Sequence, residues 1–177
     1  FYYLPKIIKA AKLGDAAILK VIINILAKEK IKVISSNTYN PELTLSKGFY
    51  TKLKPSKKDY VSINNGIKLL GKINPYNHVQ GLVIKDSSII AKEKIYGTKK
   101  MLQMMSKSNK SQCILIKFPK KKQDLRLDLP TVGLDTLKDC KKHGIKGIVL
   151  KSKKNIFMNK VKSLSFANKN KIFIIVK

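Results

Sequence analysis

Residues 123–130 read Gln-Asp-Leu-Arg-Leu-Asp-Leu-Pro, alternating polar and apolar at every step. In an extended strand, side chains two positions apart share a face, about 6.5–7 Å from one another. The pattern predicts Leu125, Leu127 and Leu129 on one face and Asp124, Arg126 and Asp128 on the other. Asp124 and Asp128 can hold a hard divalent cation through oxygen, while the guanidinium between them takes a phosphate oxygen. A helix N-terminus expected near 131–134 adds free N–H groups that favour an anion. Asp124, Asp128, Asp135 and Asp139 place four of the ten acidic residues within sixteen positions of a strongly basic chain. The competing reading of the same ribbon is a surface strand whose charges neutralise one another. Arg126 sharpens the first reading, because the other 37 of the 38 basic residues are lysines. A lone arginine marks a place that uses a rigid planar fork.

Other residues carry weaker signals. Lys120 precedes the ribbon in a run of three lysines, either a solvated turn or a group that meets a diphosphate. Gly97-Thr98 before a helix is a minimal phosphate-loop pattern. Glu93, between Lys92 and Lys94, reads by itself as an ordinary surface acid. His78 and His143 have no Cys or carboxylate at ligand spacing, and His143 reads as a helix C-terminal cation. Met101, Met104 and Met105 at helical spacing read as core more readily than as a lipid groove.

The elements that must position these residues follow from pattern. Asp15 is expected to cap a helix in which Lys20, Asn24 and Lys28 form a narrow polar stripe and the remainder is mostly buried. A short strand is expected at 31–34 and a linker at 35–40. Helices are expected at 55–70, 99–107, 133–143 and near 159–168, and strands at 80–84, 89–91, 113–118, 145–150 and 172–176, the first two as a hairpin. The alternation argues for an α/β fold with at least one antiparallel pair.

Composition narrows the class. At 177 residues with 44% hydrophobic residues, the chain can bury a sizeable core. No uncharged apolar run approaches the ~20 residues of a spanning helix, and no signal-peptide pattern is present. Cys113 and Cys140 match no disulfide framework or zinc spacing, so a reducing compartment is expected. The formal charge of +28 first suggests nucleic acid, but the lysines are spread from Lys6 to Lys177 without interleaved aromatics. A solvated lysine surface that draws in anionic ligands is the preferred reading over an RNA- or DNA-binding module. The chain begins at Phe1, so part of the natural protein is expected upstream.

In order, these pieces resemble the magnesium-dependent UDP-2,3-diacylglucosamine pyrophosphatases of lipid A synthesis, the type unrelated to calcineurin-like phosphoesterases. The resemblance rests on 80–84 and 89–93, on Gly97-Thr98-Lys99-Lys100-Met101-Leu102, on 115–120, and above all on 123–133 with Thr136. It implies a mixed sheet with flanking helices at 37–177, lipid- and diphosphate-binding and catalytic, preceded at 1–36 by the end of a Rossmann-like domain. It further implies a cytoplasmic hydrolase, peripheral to the inner membrane and possible as a homodimer. That enzyme cleaves UDP-2,3-diacylglucosamine to UMP and 2,3-diacylglucosamine 1-phosphate with Mg²⁺ and has no nucleic-acid partner. By motif position, Asp124, Asp128 and Arg126 would be catalytic and Asp124, Asp128 and Glu93 would hold the metal. Gln80, Thr98, Lys117, Lys120, Gln123, Thr131 and Thr136 would bind substrate. Two positions depart from the family pattern: Lys99 stands where an Asp is usual, and Val79 where a Gly is usual. A non-catalytic lipid- or nucleotide-binding relative is the remaining alternative.

Overall fold

Four runs, 81–85, 113–117, 145–150 and 173–176, are almost wholly apolar, and each forms a strand covered on both faces. The computed structural model describes residues 2–12, 15–73, 79–105, 112–120 and 124–177. The first half contains α1 (Leu4–Ala11), α2 (Asp15–Lys28), β1 (Gly48–Phe49), α3 (Lys57–Ile73), β2 (Gly81–Lys85), β3 (Ser88–Lys92) and α4 (Gly97–Gln103). The second contains β4 (Cys113–Lys117), β5 (Thr131–Val132), α5 (Leu134–Lys142), β6 (Ile145–Leu150), β7 (Ile156–Phe157), α6 (Lys160–Lys169) and β8 (Phe173–Val176).

Six strands form one mixed sheet in the order β1-β8-β6-β4-β2-β3. β4, β6 and β8 run parallel, while β2 is antiparallel to β4, β3 to β2, and β1 to β8. The expected hairpin is present: Asp86 and Ser87, with φ of 48° and 66°, make its tight turn. β5 and β7 form a separate parallel pair. One face of the main sheet is covered by α4, α5 and α6 through Met101, Leu102, Leu137, Cys140 and Ala167. The other is covered by α3, whose Ile63 and Leu70 meet Leu82, Ile84, Ile114 and Ile116. Gly66 permits that close approach, since a Cβ there would lie 2.5 Å from Ile116 Cδ1. The expectation of an α/β fold with a mixed sheet and flanking helices is therefore met, with three layers. Val79 is buried in the α3-side core.

Two expectations at the N-terminal end are not met. Residues 31–34 form no strand, because no ladder partner lies beside them among the described residues. In α2 only Ile23 is buried among the described side chains, since the helix packs chiefly on α1. Cys113 and Cys140 are buried and are not in a disulfide, and burial pushes the Cys140 thiol up, which leaves it protonated and inert. His143 caps α5, with its Nδ1 2.8 Å from the Asp139 carbonyl oxygen. Among the described residues no helix is long and apolar enough to cross a membrane.

α3 starts in a capping box. Ser56 N–H donates to Asp59 Oδ2 (2.9 Å) and Asp59 N–H donates to Ser56 Oγ (3.2 Å). Asp59 Oδ1 also accepts the Lys146 ammonium from β6 at 2.8 Å, tying helix to sheet. Burial opposes ionisation of Asp59, but the bonds from Lys146 and Ser56 outweigh it and hold the carboxyl below its usual range. Asp59→Ala is expected to destabilise the fold by about 1–3 kcal/mol, read by urea unfolding. Because the folded pKa lies below the unfolded value of about 3.9, this contribution is complete at neutral pH. It fades as pH falls through the folded value.

Candidate active site

The carboxyl ends of parallel strands are where open α/β sheets bind ligands, and here Lys117, Leu150 and Val176 end β4, β6 and β8. The antiparallel hairpin brings its own ends to the same edge. Gly81, at the start of β2, pairs with Lys117, and Glu93 N–H, just past β3, donates to the Gly81 carbonyl at 2.9 Å.

The expected ribbon at 124–128 is a turn instead. Asp124 Oδ1 accepts the backbone N–H of Arg126 at 3.0 Å, and the Asp124 carbonyl accepts the N–H groups of Leu127 (3.2 Å) and Asp128 (3.1 Å). A side chain that captures a nearby N–H competes directly with strand formation. The leucines accordingly do not share an inward face: Leu129 is buried, while Leu127 is 40% exposed. The turn brings the guanidinium onto its own carboxylate, with Arg126 Nε donating to Asp124 Oδ1 at 3.0 Å and Nη2 to Oδ2 at 2.6 Å. This fork and the Arg126 backbone N–H hold the Asp124 carboxyl at about 2. Asp124 is therefore an anion across the physiological range, suited to hold a cation and unsuited to take a proton at neutral pH.

Asp124, Arg126 and Asp128 nevertheless share one cleft, of about 790 Å³, within the size range of small-molecule sites. Its opposite wall is α2, contributing Lys20 and Asn24 from the polar stripe beside apolar Leu19 and Ile23. Lys153 and Lys154 close one side. Their turn is fixed by the Lys153 N–H on the Leu45 carbonyl (2.9 Å) and by Asn37 Nδ2 on the Lys153 carbonyl (3.4 Å). Three lysines and Arg126 thus line a partly apolar groove together with two carboxylates. The carboxylate of Asp128 takes no hydrogen bond among the described residues.

Glu93, Thr98 and Lys117 form a second, buried group. Thr98 Oγ1 donates to Glu93 Oε1 at 2.9 Å, Lys117 Nζ lies 3.2 Å from the same oxygen, and Lys117 also donates to Thr98 Oγ1. Glu93 is 5% exposed and Lys117 6%. Glu93 Oε2 has no partner among the described residues and lies against Gly81, where a Cβ would sit 2.7 Å away. Neither Glu93 nor Lys117 lines the cleft.

Asn155 joins the two groups. Its Nδ2 donates to the carbonyls of Lys117 (3.0 Å) and Pro130 (3.4 Å), and its Oδ1 accepts the Lys151 N–H at 2.8 Å. One buried amide therefore pins the end of β4, the exit of the Asp124 turn and the lysine turn at 151–154 to a single edge. Of the remaining candidates, Gln80 precedes β2, Lys120 follows β4, Thr131 is exposed on β5 and Thr136 lies in the first turn of α5. Gln123 lies outside the described residues. Lys99 is exposed on α4.

The donor set bears on a metal. Among the described residues no three His, Cys, Asp or Glu side chains gather to hold an ion, so Glu93 does not join Asp124 and Asp128 as a third ligand. Mg²⁺ needs less, since one or two carboxylates with substrate phosphates and waters suffice. Asp124 and Asp128, on one cleft wall, fit that requirement.

A model of the LpxI C-terminal domain family matches residues 46–175. The chain is also similar to a UDP-2,3-diacylglucosamine pyrophosphatase LpxI of Caulobacter vibrioides, with 29% identity over 154 residues, covering 82% of this chain and 55% of that protein. The chain thus spans about half the length of the curated relative it matches.

Proposed function

This chain belongs to the LpxI C-terminal domain family, and on that premise we propose that it serves lipid A synthesis as a hydrolase. Its substrate is UDP-2,3-diacylglucosamine, cleaved within the diphosphate to UMP and 2,3-diacylglucosamine 1-phosphate at the cytoplasmic face of the inner membrane. The observation that carries this reading is the pairing of Asp124 with the sole arginine at the mouth of a cleft that Lys20, Lys153 and Lys154 also line.

A diphosphate brings concentrated negative charge, which the three lysines and Arg126 gather and orient. Asp124 grips one side of the Arg126 fork, so the guanidinium meets the substrate already aimed. Mg²⁺, held by Asp124 and Asp128, would neutralise the phosphoryl oxygens and make the phosphorus more open to attack. Asp128, whose carboxylate takes no hydrogen bond among the described residues, orients the attacking water. Leu19 and Ile23 give the cleft an apolar side suited to the lipid portion of the substrate.

The test is release of UMP from UDP-2,3-diacylglucosamine by the chain, with Mg²⁺ and with a chelator. Release that needs the metal is expected. Tight, steeply salt-dependent RNA binding with no UMP would overturn the reading in favour of a nucleic-acid module. Lipid binding without turnover would overturn it in favour of a non-catalytic relative.

A further inference from the structure

The end of β3, the loop after it and α4 form a surface with one kind of charge. Glu93, the only acid between residues 92 and 105, is turned inward onto Lys117. The charges left outside are Lys92, Lys94, Lys99 and Lys100, all exposed. Among them stand three large side chains that are mostly exposed to water: Ile95 at 77% exposure, Tyr96 at 71% and Met104 at 67%. α4 creates this arrangement by turning Met101 and Leu102 into the core, which leaves Met104 facing out. Beside these residues lies a groove of about 310 Å³ floored by Ile90, Met101 and Met105.

We propose that this patch docks the protein on an anionic lipid bilayer. Ile95, Tyr96 and Met104 enter the boundary between headgroups and acyl chains, and the four lysines pair with anionic headgroups. The combination is that of a surface-lying membrane anchor, where apolar burial and cationic attraction act together. Tyr96 suits the interface because its ring is apolar and its hydroxyl polar. A nucleic acid would use the lysines but leave the two aliphatic side chains in water. A second copy of the chain, meeting face to face, would set lysine against lysine. Docking of this kind does not depend on the chemistry of the cleft.

The experiment is co-sedimentation of the full chain with phosphatidylglycerol-containing vesicles and with phosphatidylcholine vesicles, at low and high salt. Binding is expected only to the anionic vesicles and weakens with salt. Ile95→Asp with Met104→Asp is expected to reduce it at least tenfold, with unchanged thermal unfolding because both sites are exposed. Lys94→Gln, Lys99→Gln and Lys100→Gln together should cost on the order of a hundredfold, about fivefold per lysine. The same charge change on α3, at Lys57, Lys68 and Lys72, should cost much less. Equal losses from the two lysine triples, or unaltered binding by the Asp variants, would overturn the proposal. So would capture of RNA through the patch while vesicles are ignored, or concentration-dependent self-association through it.

Discussion

Asp124→Ala is expected to lower Mg²⁺-dependent UMP release by about 10²–10⁴-fold, the range for loss of a charge-organising group at a reacting centre. The carboxylate does three things at once: it fixes the turn through the Arg126 N–H, grips the guanidinium and supplies an oxygen donor to the cleft. Stability should change little, because the pair is substantially solvent-accessible and such pairs contribute little to folding. Asn at 124 separates these roles. It can still accept the Arg126 N–H and preserve the turn, but it carries no charge for a cation. Asp124→Asn should therefore fold and unfold like wild type and yet lose most of the activity. Arg126→Lys should retain a charge and lose the two-pronged grip, giving a smaller defect that appears chiefly in KM. Turnover unchanged in Asp124→Ala would remove this residue from the site.

The second large effect is on stability. Lys117→Met should destabilise the protein by about 3–5 kcal/mol, because it leaves the buried Glu93 carboxylate without its countercharge. Glu93 has little other support: Thr98 donates to one oxygen, and the other has no partner among the described residues. Adding Glu93→Gln to Lys117→Met should recover most of the loss, since the amide is neutral and can still accept from Thr98. Denaturant unfolding of the two single variants and the double variant gives the coupling directly. Additive losses would show that the ammonium does not compensate the acid. The pair matters to the site by position, since Asn155 ties the Lys117 backbone to the exit of the Asp124 turn.

The strands and most helices are legible in the sequence because burial on both faces leaves runs that are apolar but for Lys117 and Lys146 at 113–117, 145–150 and 173–176. The hairpin is legible from two short runs around Lys85-Asp86-Ser87-Ser88. The ribbon at 124–128 shows where pattern fails. Perfect alternation predicts a strand, but Asp124 takes the N–H of Arg126, and that local bond wins where no neighbouring strand among the described residues offers a ladder. The three charged groups still line one cleft, because residue type, unlike backbone path, is written directly. Glu93 and Lys117 lie 24 positions apart, and only the pairing of β2 with both β3 and β4 brings them together. Lys20 and Asn24 stand out as a stripe, yet the face they present to the cleft is a tertiary fact. Lys153, Lys154 and Asn155 carry no local signal in a chain with 37 lysines and 12 asparagines.

The sole arginine also gives the most direct measurement. Arg126 contributes the chain's one arginine Nε–H, hence one side-chain resonance in a ¹H–¹⁵N spectrum, and the structure bonds it to Asp124. Titration with UDP-2,3-diacylglucosamine and a chelator present, then with Mg²⁺, should move that resonance along a saturable curve, and Asp124→Ala should change its starting position. A resonance that stays fixed while the substrate binds elsewhere on the protein would contradict the assignment of the cleft as the diphosphate site.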